Sequence, residues 1–260
     1  MGPNKVKRAL MRGEVQVGTW VNVFVNPQIA QMLAVAGFDF MYVDMEHSSL
    51  SIESVGGLCF AAVAAGLVPI VRPPGKDPHL LTRPLDSGAM GLLIPHVDTR
   101  QEAEGVVRAI KYPPIGGRGL SLRGAHTGFN KAWGEDYVRQ ANDETLLLVQ
   151  IESDLGIRNL DEILSLRGID GAVVGRGDLS ADLGMPGQTN HPEVIRRVEM
   201  MIAACQRHGK IPGLLVPDVA SAKEWIRKGI RLVPYSSEID ILIDAAAKGV
   251  GEIRGSIEEI

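Results

Sequence analysis

Short, continuously apolar runs alternate with longer amphipathic stretches from one end of the chain to the other. The runs cover residues 15–22, 39–46, 68–73, 91–97, 146–152, 171–178, 211–216 and 230–236. Buried parallel strands have this look, because helices cover one side of them and the core covers the other. Between the runs lie segments with helical spacing, such as residues 26–36, 101–110 and Pro192–His208. Gly37, Gly66, Gly209 and Gly229 each close a helical stretch just before the next run. Eight strand–helix units in this length predict an α/β fold of the (β/α)8 barrel type. A doubly wound sheet competes with it, and periodicity alone does not separate the two. No G-x-G-x-x-G fingerprint opens the first helix, which weakens the dinucleotide-binding version. The pattern predicts one domain over residues 1–260, with an irregular insertion rich in Gly and Arg at about 112–143 and a C-terminal helical segment.

Composition changes this picture little. The chain is 45% hydrophobic and 22% charged, with a formal net charge of −4. That balance lacks the basic field that nucleic acid or an anionic membrane requires. No uncharged apolar run approaches the roughly 20 residues needed to span a bilayer. The opening MGPNKVKRALMRGEV has basic residues but no apolar stretch behind them, so no secretory signal is expected. Cys59 and Cys205 have no partner motif, which predicts reduced thiols in a cytoplasmic protein.

The carboxyl ends of barrel strands face the active site, and the charge collects there. The second run ends in Asp44-Met45-Glu46-His47, the third in Arg72-Pro73-Pro74, and the fourth in His96 with Asp98 just beyond. The fifth ends in Gln150-Ile151-Glu152 and the sixth in Arg176-Gly177-Asp178. Each residue has a plainer role open to it: Asp178 or Glu152 could cap the helix that follows, and Arg72 could neutralise neighbouring carboxylates. Together, Glu152 and Asp178 suit a half-shell for a hard divalent cation that otherwise takes water or substrate oxygens. Arg72 stands beside them as a cation and His47 as a group titrating near neutrality. Such a set suits stabilising an enolate, with Arg72 meeting the developing charge and His47 moving a proton. The competing Schiff-base route needs an amine on the active face, and none of the eight runs contains a Lys.

At these residues the chain resembles the HpcH/HpaI aldolase family of class II pyruvate aldolases. The matching pieces are VGTW (17–20), AGFDFMYVDMEH (36–47), VRPPGKDP (71–78), LLIPHV (92–97), KYPPIGGRG (111–119), LLVQIES (147–153), GRGDLSADLG (175–184) and HPEV (191–194). The resemblance implies a barrel of the phosphoenolpyruvate/pyruvate-binding type. It implies reversible cleavage of a 4-hydroxy-2-oxo acid to pyruvate and an aldehyde. The implied cofactor is a divalent ion held by Glu152 and Asp178, Mg2+ or Mn2+ first and Co2+ also admitted, with no organic cofactor. Gln150, Trp20, Leu215 and the backbone at Gly177 and Asp178 would bind substrate, with Gly177 there so that a carboxylate can approach its backbone. Arg72 would stabilise the enolate, His47 would be the acid/base, and an aspartate at Asp86 would raise the basicity of that histidine. Asp86 closes the third helix of the alternation, at the opposite end of the barrel from His47. It could therefore reach a histidine only in another subunit. A family of hexamers, here a trimer of dimers using the C-terminal segment in subunit contacts, resolves that geometry. The family often has Gly-Pro-Ala-Asp where this chain has Gly175-Arg176-Gly177-Asp178, and His96 and the SLRGAHTGF segment with Arg123 and His126 also depart. His96, Arg123, His126 and Arg176 are the candidates for aldehyde specificity.

Two other classes compete. A citramalyl- or malyl-CoA-type lyase, or an oxaloacetate decarboxylase, would keep barrel and metal while changing the bond; CoA would need a basic groove that the sequence does not show. The Arg-Gly-Asp tripeptide at 176–178 could alternatively be an adhesion signal, but that needs an exposed loop on a secreted protein.

Overall fold

The computed structural model describes residues 2–121, 123–131 and 134–258. Its eight parallel strands close into a barrel in sequence order. They are β1 (Gln16–Val21), β2 (Phe40–Asp44), β3 (Val68–Arg72), β4 (Gly91–Ile94), β5 (Leu146–Ile151), β6 (Gly171–Val174), β7 (Ile211–Leu214) and β8 (Leu232–Ser237). Each predicted run coincides with one of them, β8 reaching one residue past its run, and the closed ladder settles the choice against a doubly wound sheet. One apolar cluster fills the barrel with Trp20, Phe40, Tyr42, Ile70, Leu93, Leu148 and Val173. A larger one lies between the barrel and its helices.

The helices are α1 (Lys5–Met11), α2 (Ile29–Val35), α3 (Ile52–Ala64), α4 (Pro78–Asp86), α5 (Arg100–Ile110), α6 (Gly134–Glu144), α7 (Asp154–Arg158), α8 (Leu160–Leu164), α9 (Arg176–Asp182), α10 (Pro192–His208), α11 (Val219–Lys228) and α12 (Glu238–Glu258). The four glycines predicted to end helices all have positive φ, Gly209 at 61° as the left-handed C-cap of α10. The α5 helix opens with a capping box, Thr99 accepting from Glu102 N while the Glu102 side chain reaches back.

Three features depart from the sequence pattern. A short helix, α1, precedes the barrel; its Val6 and Leu10 join the interior cluster, and Lys7 Nζ pairs with Asp170 at 2.9 Å, so it closes the amino-terminal mouth. The insertion is not wholly irregular, since α6 crosses it. That helix is polar apart from a narrow stripe, and it docks through Asn142, whose amide bonds the backbone of Tyr112 at both ends. The sixth strand stops at Val174, and the segment expected to continue it turns into α9.

Cys59 and Cys205 are free and buried, and burial pushes both thiols up to about 12. Among the described residues no helix is long and apolar enough to cross a membrane.

Candidate active site

Asp44 and Arg72 are register partners at the ends of β2 and β3. The side chains meet in a two-pronged contact: Arg72 Nε donates to Asp44 Oδ1 at 2.8 Å, and Nη2 donates to Oδ2 at 2.7 Å. Both are buried, which makes the planar fork the stable answer to two charges out of water. The Arg72 guanidinium also lies 4.4 Å above the Trp20 ring. Its Nη1 is 3.0 Å from Glu46 Oε2, an ion pair without hydrogen-bond alignment.

From Glu46 the network continues through His96. The imidazole bridges two carboxylates, with Nε2 at 3.2 Å from Glu46 Oε1 and Nδ1 at 3.2 Å from Glu152 Oε2. The His96 backbone amide donates to the same Glu152 oxygen at 3.0 Å. That double contact accompanies a left-handed backbone at His96, φ 53°. The other oxygen, Glu152 Oε1, accepts from Gln150 Nε2 at 2.7 Å. Glu152 is thus fixed at both oxygens. Burial, with the charges of Glu46 and Asp178 adding to it, pushes its carboxyl up to about 7 even though His96 opposes the shift.

A cavity of about 610 Å3 opens at this end of the barrel. Trp20, His47, Arg72, Gln150, Glu152, Arg176, Gly177, Asp178 and Leu215 all line it, so the structure brings together most of the residues singled out in the sequence. A larger cavity of about 760 Å3 lies under the insertion, lined by Pro113, Leu120, Tyr137 and Arg167, away from the strand ends. Asp178 caps nothing: it sits in the first turn of α9, whose N-cap is Gly175, and it is exposed to the cavity. Glu152 caps nothing either, because Ser153 Oγ takes that place for α7.

His47 lines the cavity with its Nε2 3.7 Å from Glu46 Oε2. Within the chain, Glu46 is therefore its acidic neighbour. Asp86 ends α4, at the amino-terminal end of the barrel, where buried Arg118 holds its Oδ1 at 2.6 Å. The structure does not bring Asp86 to His47 of the same chain. It also does not bring Arg123 or His126 to the cavity. Arg123 is exposed, and His126 is buried beneath the insertion, its Nε2 2.8 Å from the Ser121 carbonyl and its Nδ1 3.4 Å from that of Asp86.

Asp44, Glu46 and Gly175 were not given roles from the sequence. A close approach of side chains to the backbone occurs at Gly175, which the sequence did not single out. A Cβ at Gly175 would sit 2.3 Å from Glu152 Oε1 and 2.9 Å from Gln150 Nε2, whereas one at Gly177 would meet open space. Gly175→Ala is accordingly expected to displace Glu152 and weaken Mn2+ binding by at least about tenfold, as loss of a supporting contact does. Titration calorimetry on both alanine variants checks this, with Gly177→Ala giving the smaller loss.

The donor set fits a hard divalent cation. Two carboxylates line one cavity, one of them raised by burial, and Gln150 Oε1 is buried without a partner among the described residues. Among the described residues no group of three or more ligand-type side chains gathers around one point, so the remaining positions would fall to water and substrate oxygens.

A profile of the HpcH/HpaI aldolase/citrate lyase family matches residues 16–245. The chain belongs to this family. It is 39% identical over 232 residues to a 2-keto-3-deoxy-L-rhamnonate aldolase of Klebsiella pneumoniae, covering 88% of this chain and 85% of that one. It is 37% identical over 246 residues to a 5-keto-4-deoxy-D-glucarate aldolase of Escherichia coli, covering 95% of each. The crystal structure of an HpcH/HpaI aldolase from Desulfitobacterium hafniense superposes with a TM-score of 0.91 at 34% identity, covering 95% of this chain and 96% of that one. An HpcH/HpaI barrel with this site is an enzyme of the class II aldolase type, a metal-dependent lyase acting on small molecules.

Proposed function

We propose that this chain reversibly cleaves a 4-hydroxy-2-oxo acid to pyruvate and an aldehyde through the pyruvate enolate. The carrying observation is Glu152, buried and held at both oxygens beside Asp178 and Arg72 in one cavity. Glu152 and Asp178 would hold the divalent ion, Mg2+ or Mn2+ by their oxygen chemistry, and the bound ion supplies Lewis-acid polarisation of the 2-oxo group.

In the cleavage direction His47 takes the C4 hydroxyl proton, the C3–C4 bond breaks, and the aldehyde departs. The electron pair passes to C3 and the 2-oxo oxygen as an enolate, and protonation of C3 then gives pyruvate. The N–H groups that Arg72 does not direct at Asp44 would meet the enolate charge. The amides of Gly177 and Asp178, in the first turn of α9 without intrahelical acceptors, suit the substrate carboxylate. Trp20 and Leu215 would supply apolar walls. A CoA thioester would need cations for its phosphates, and the arginines lining this cavity are Arg72, already paired, and Arg176.

The site would be completed in a homohexamer, a trimer of dimers, in which Asp86 reaches a neighbouring subunit's His47. Two features support association: the Asp86 side chain is 42% exposed, and α12 leaves Leu242, Ile243, Val250, Ile253 and Ile257 exposed. Two buried, unreactive thiols suit a cytoplasmic setting. The relatives differ in substrate: rhamnonate names a monocarboxylate and glucarate a dicarboxylate, so likeness alone does not choose the aldehyde.

Pyruvate release from 4-hydroxy-2-oxo acids, followed by a coupled dehydrogenase assay, tests the proposal. Exhaustive EDTA treatment is expected to remove at least about 99% of activity, as removal of an essential Lewis acid should, and added Mn2+ or Mg2+ should restore it. Activity that survives complete metal removal would overturn the mechanism.

A further inference from the structure

We propose that Arg118 is a positioning residue for the reaction: it grips one oxygen of Asp86 at the amino-terminal end of the barrel, so that the other oxygen is free for the His47 imidazole of a neighbouring subunit. This rests on the aldolase function and the assembly proposed above. It gives a role to a residue that touches neither substrate nor metal.

Asp86 is the last residue of α4. A carboxylate in that position lies at the negative end of the helix dipole and is repelled by the open carbonyls around it. Unheld, it would sample many rotamers in water. Arg118 supplies the restraint, its Nη2 donating to Asp86 Oδ1 at 2.6 Å. The Arg118 side chain is buried while that of Asp86 stays partly exposed, so a fixed cation holds an open anion.

Arg118 is itself aimed by its surroundings. The segment from Lys111 to Arg118 folds back on the end of α5: Gly117 N donates to the Arg108 carbonyl at 2.7 Å, and Arg118 N donates to that of Lys111 at 3.0 Å. Gly116 permits this path, because a Cβ there would overlap the Lys111 carbonyl oxygen. The guanidinium lies 4.8 Å over the Tyr112 ring, and Asn142 clamps the backbone of Tyr112 at both ends. A planar cation stacked on a fixed ring has little freedom to turn.

The form of the contact sets this pair apart from an ion pair that only stabilises the fold. Asp44 and Arg72 meet through two bonds, and both are buried. Arg118 and Asp86 meet through one. Arg118 Nε is buried without a partner among the described residues, and Asp86 Oδ2 has no hydrogen bond among them either. A fork against both oxygens would satisfy both atoms and hold the chain more firmly. The single bond instead leaves one anionic oxygen available on a side chain open to its surroundings. The histidine nearest in the same chain does not use it, since His126 Nδ1 approaches the main-chain carbonyl of Asp86 and not its carboxylate. An aspartate already held in place spares the reorientation that would otherwise accompany each proton transfer at His47.

A double-variant cycle on the Mn2+-loaded enzyme tests this, using whichever 4-hydroxy-2-oxo acid gives the fastest pyruvate release in the assay above. Arg118→Met is expected to lower kcat at least about tenfold, within the range that acid–base catalysis contributes, while KM and Mn2+ affinity change less than about threefold. In an Asp86→Asn background the same substitution should lower kcat less than about twofold, because the oxygen it serves is already gone. Arg118→Lys should recover part of the loss, as a charge without the planar fork. Losses that multiply in the double variant, or a KM that rises as steeply as kcat falls, are the behaviour of a residue that only anchors the insertion, and either overturns the inference. So does an Arg118→Met enzyme with wild-type kcat. Should Arg118→Met not fold, Arg118→Gln, which keeps a donor in the buried site, carries the same cycle to the same decision. Wild-type kcat in Asp86→Asn would instead overturn the role of Asp86 across subunits, and absence of turnover in the wild type would overturn the aldolase function itself.

Discussion

Replacing Arg72 by alanine is expected to lower kcat/KM for retro-aldol cleavage by about a thousandfold, the scale seen when a preorganised donor to a developing oxyanion is lost. The same substitution carries a second penalty, visible only in the structure. Asp44 is fully buried, and among the described residues Arg72 is the cation that holds its carboxylate, so alanine strands an anion in the core. Breaking a buried pair from one side destabilises by about 3–5 kcal/mol. A melting-temperature drop should therefore accompany the kinetic loss. The two effects separate in the pair Arg72→Met with Asp44→Asn, which removes both charges together. That double variant should recover most of the stability while staying about as inactive as Arg72→Ala. Full activity in a folded double variant would remove Arg72 from the chemistry.

The second large effect concerns Glu152 and pH. Its carboxyl is pushed up to about 7 from an ordinary 4.5 by burial among other carboxylates. Between those two values the native state holds a proton that the unfolded chain has released. The metal-free protein should therefore lose stability as pH rises through that window, by about 3 kcal/mol in total from this group. Glu152→Gln should abolish that part of the pH dependence, measured as the difference between wild-type and variant unfolding free energies at about pH 5 and about pH 8. Metal binding inverts the sign, because the ion must displace the proton. Mn2+ affinity should rise about tenfold per pH unit below 7 and flatten above it, with a proton released on binding. Calorimetry in buffers of different ionisation enthalpy would show that proton directly. A wild-type Mn2+ affinity that is flat from about pH 5.5 to about pH 8.5 would contradict the assignment.

The barrel was legible in the sequence because strands covered on both faces must be continuously apolar, and eight such runs leave little freedom. Their carboxyl ends were less legible. Ile94 and Val174 end strands that the apolar pattern carries on to Val97 and Asp178, since polar groups at a strand tip look the same whether they continue it or turn away. The helix α6 was hidden because two of the four residues it buries, Asn142 and Glu144, are polar, leaving Tyr137 and Ala141 as its apolar stripe. Most of the site residues were visible as charges at strand ends. The role of Asp44 was not, because its meaning depends on standing opposite Arg72, and register between strands is not written in either segment alone. His96 was noticed as a departure, but its bridge from Glu46 to Glu152 needs a left-handed turn that no local pattern announces. The placement of Arg123 and His126 was hidden for a related reason: the path of the insertion is set by what it packs against at the far end of the barrel.

Asp44, Arg72 and Gln150 stand on strand positions whose neighbours are fixed by the closed ladder, while Arg176 and Leu215 lie just outside it, past Val174 and Leu214. The Asp44–Arg72 pair and Gln150 cannot shift unless the barrel opens, whereas the rim can be rebuilt with every ladder hydrogen bond intact. A lineage built on this frame can exchange one aldehyde for another through a few loop substitutions, and its bond-breaking chemistry stays frozen while it does so.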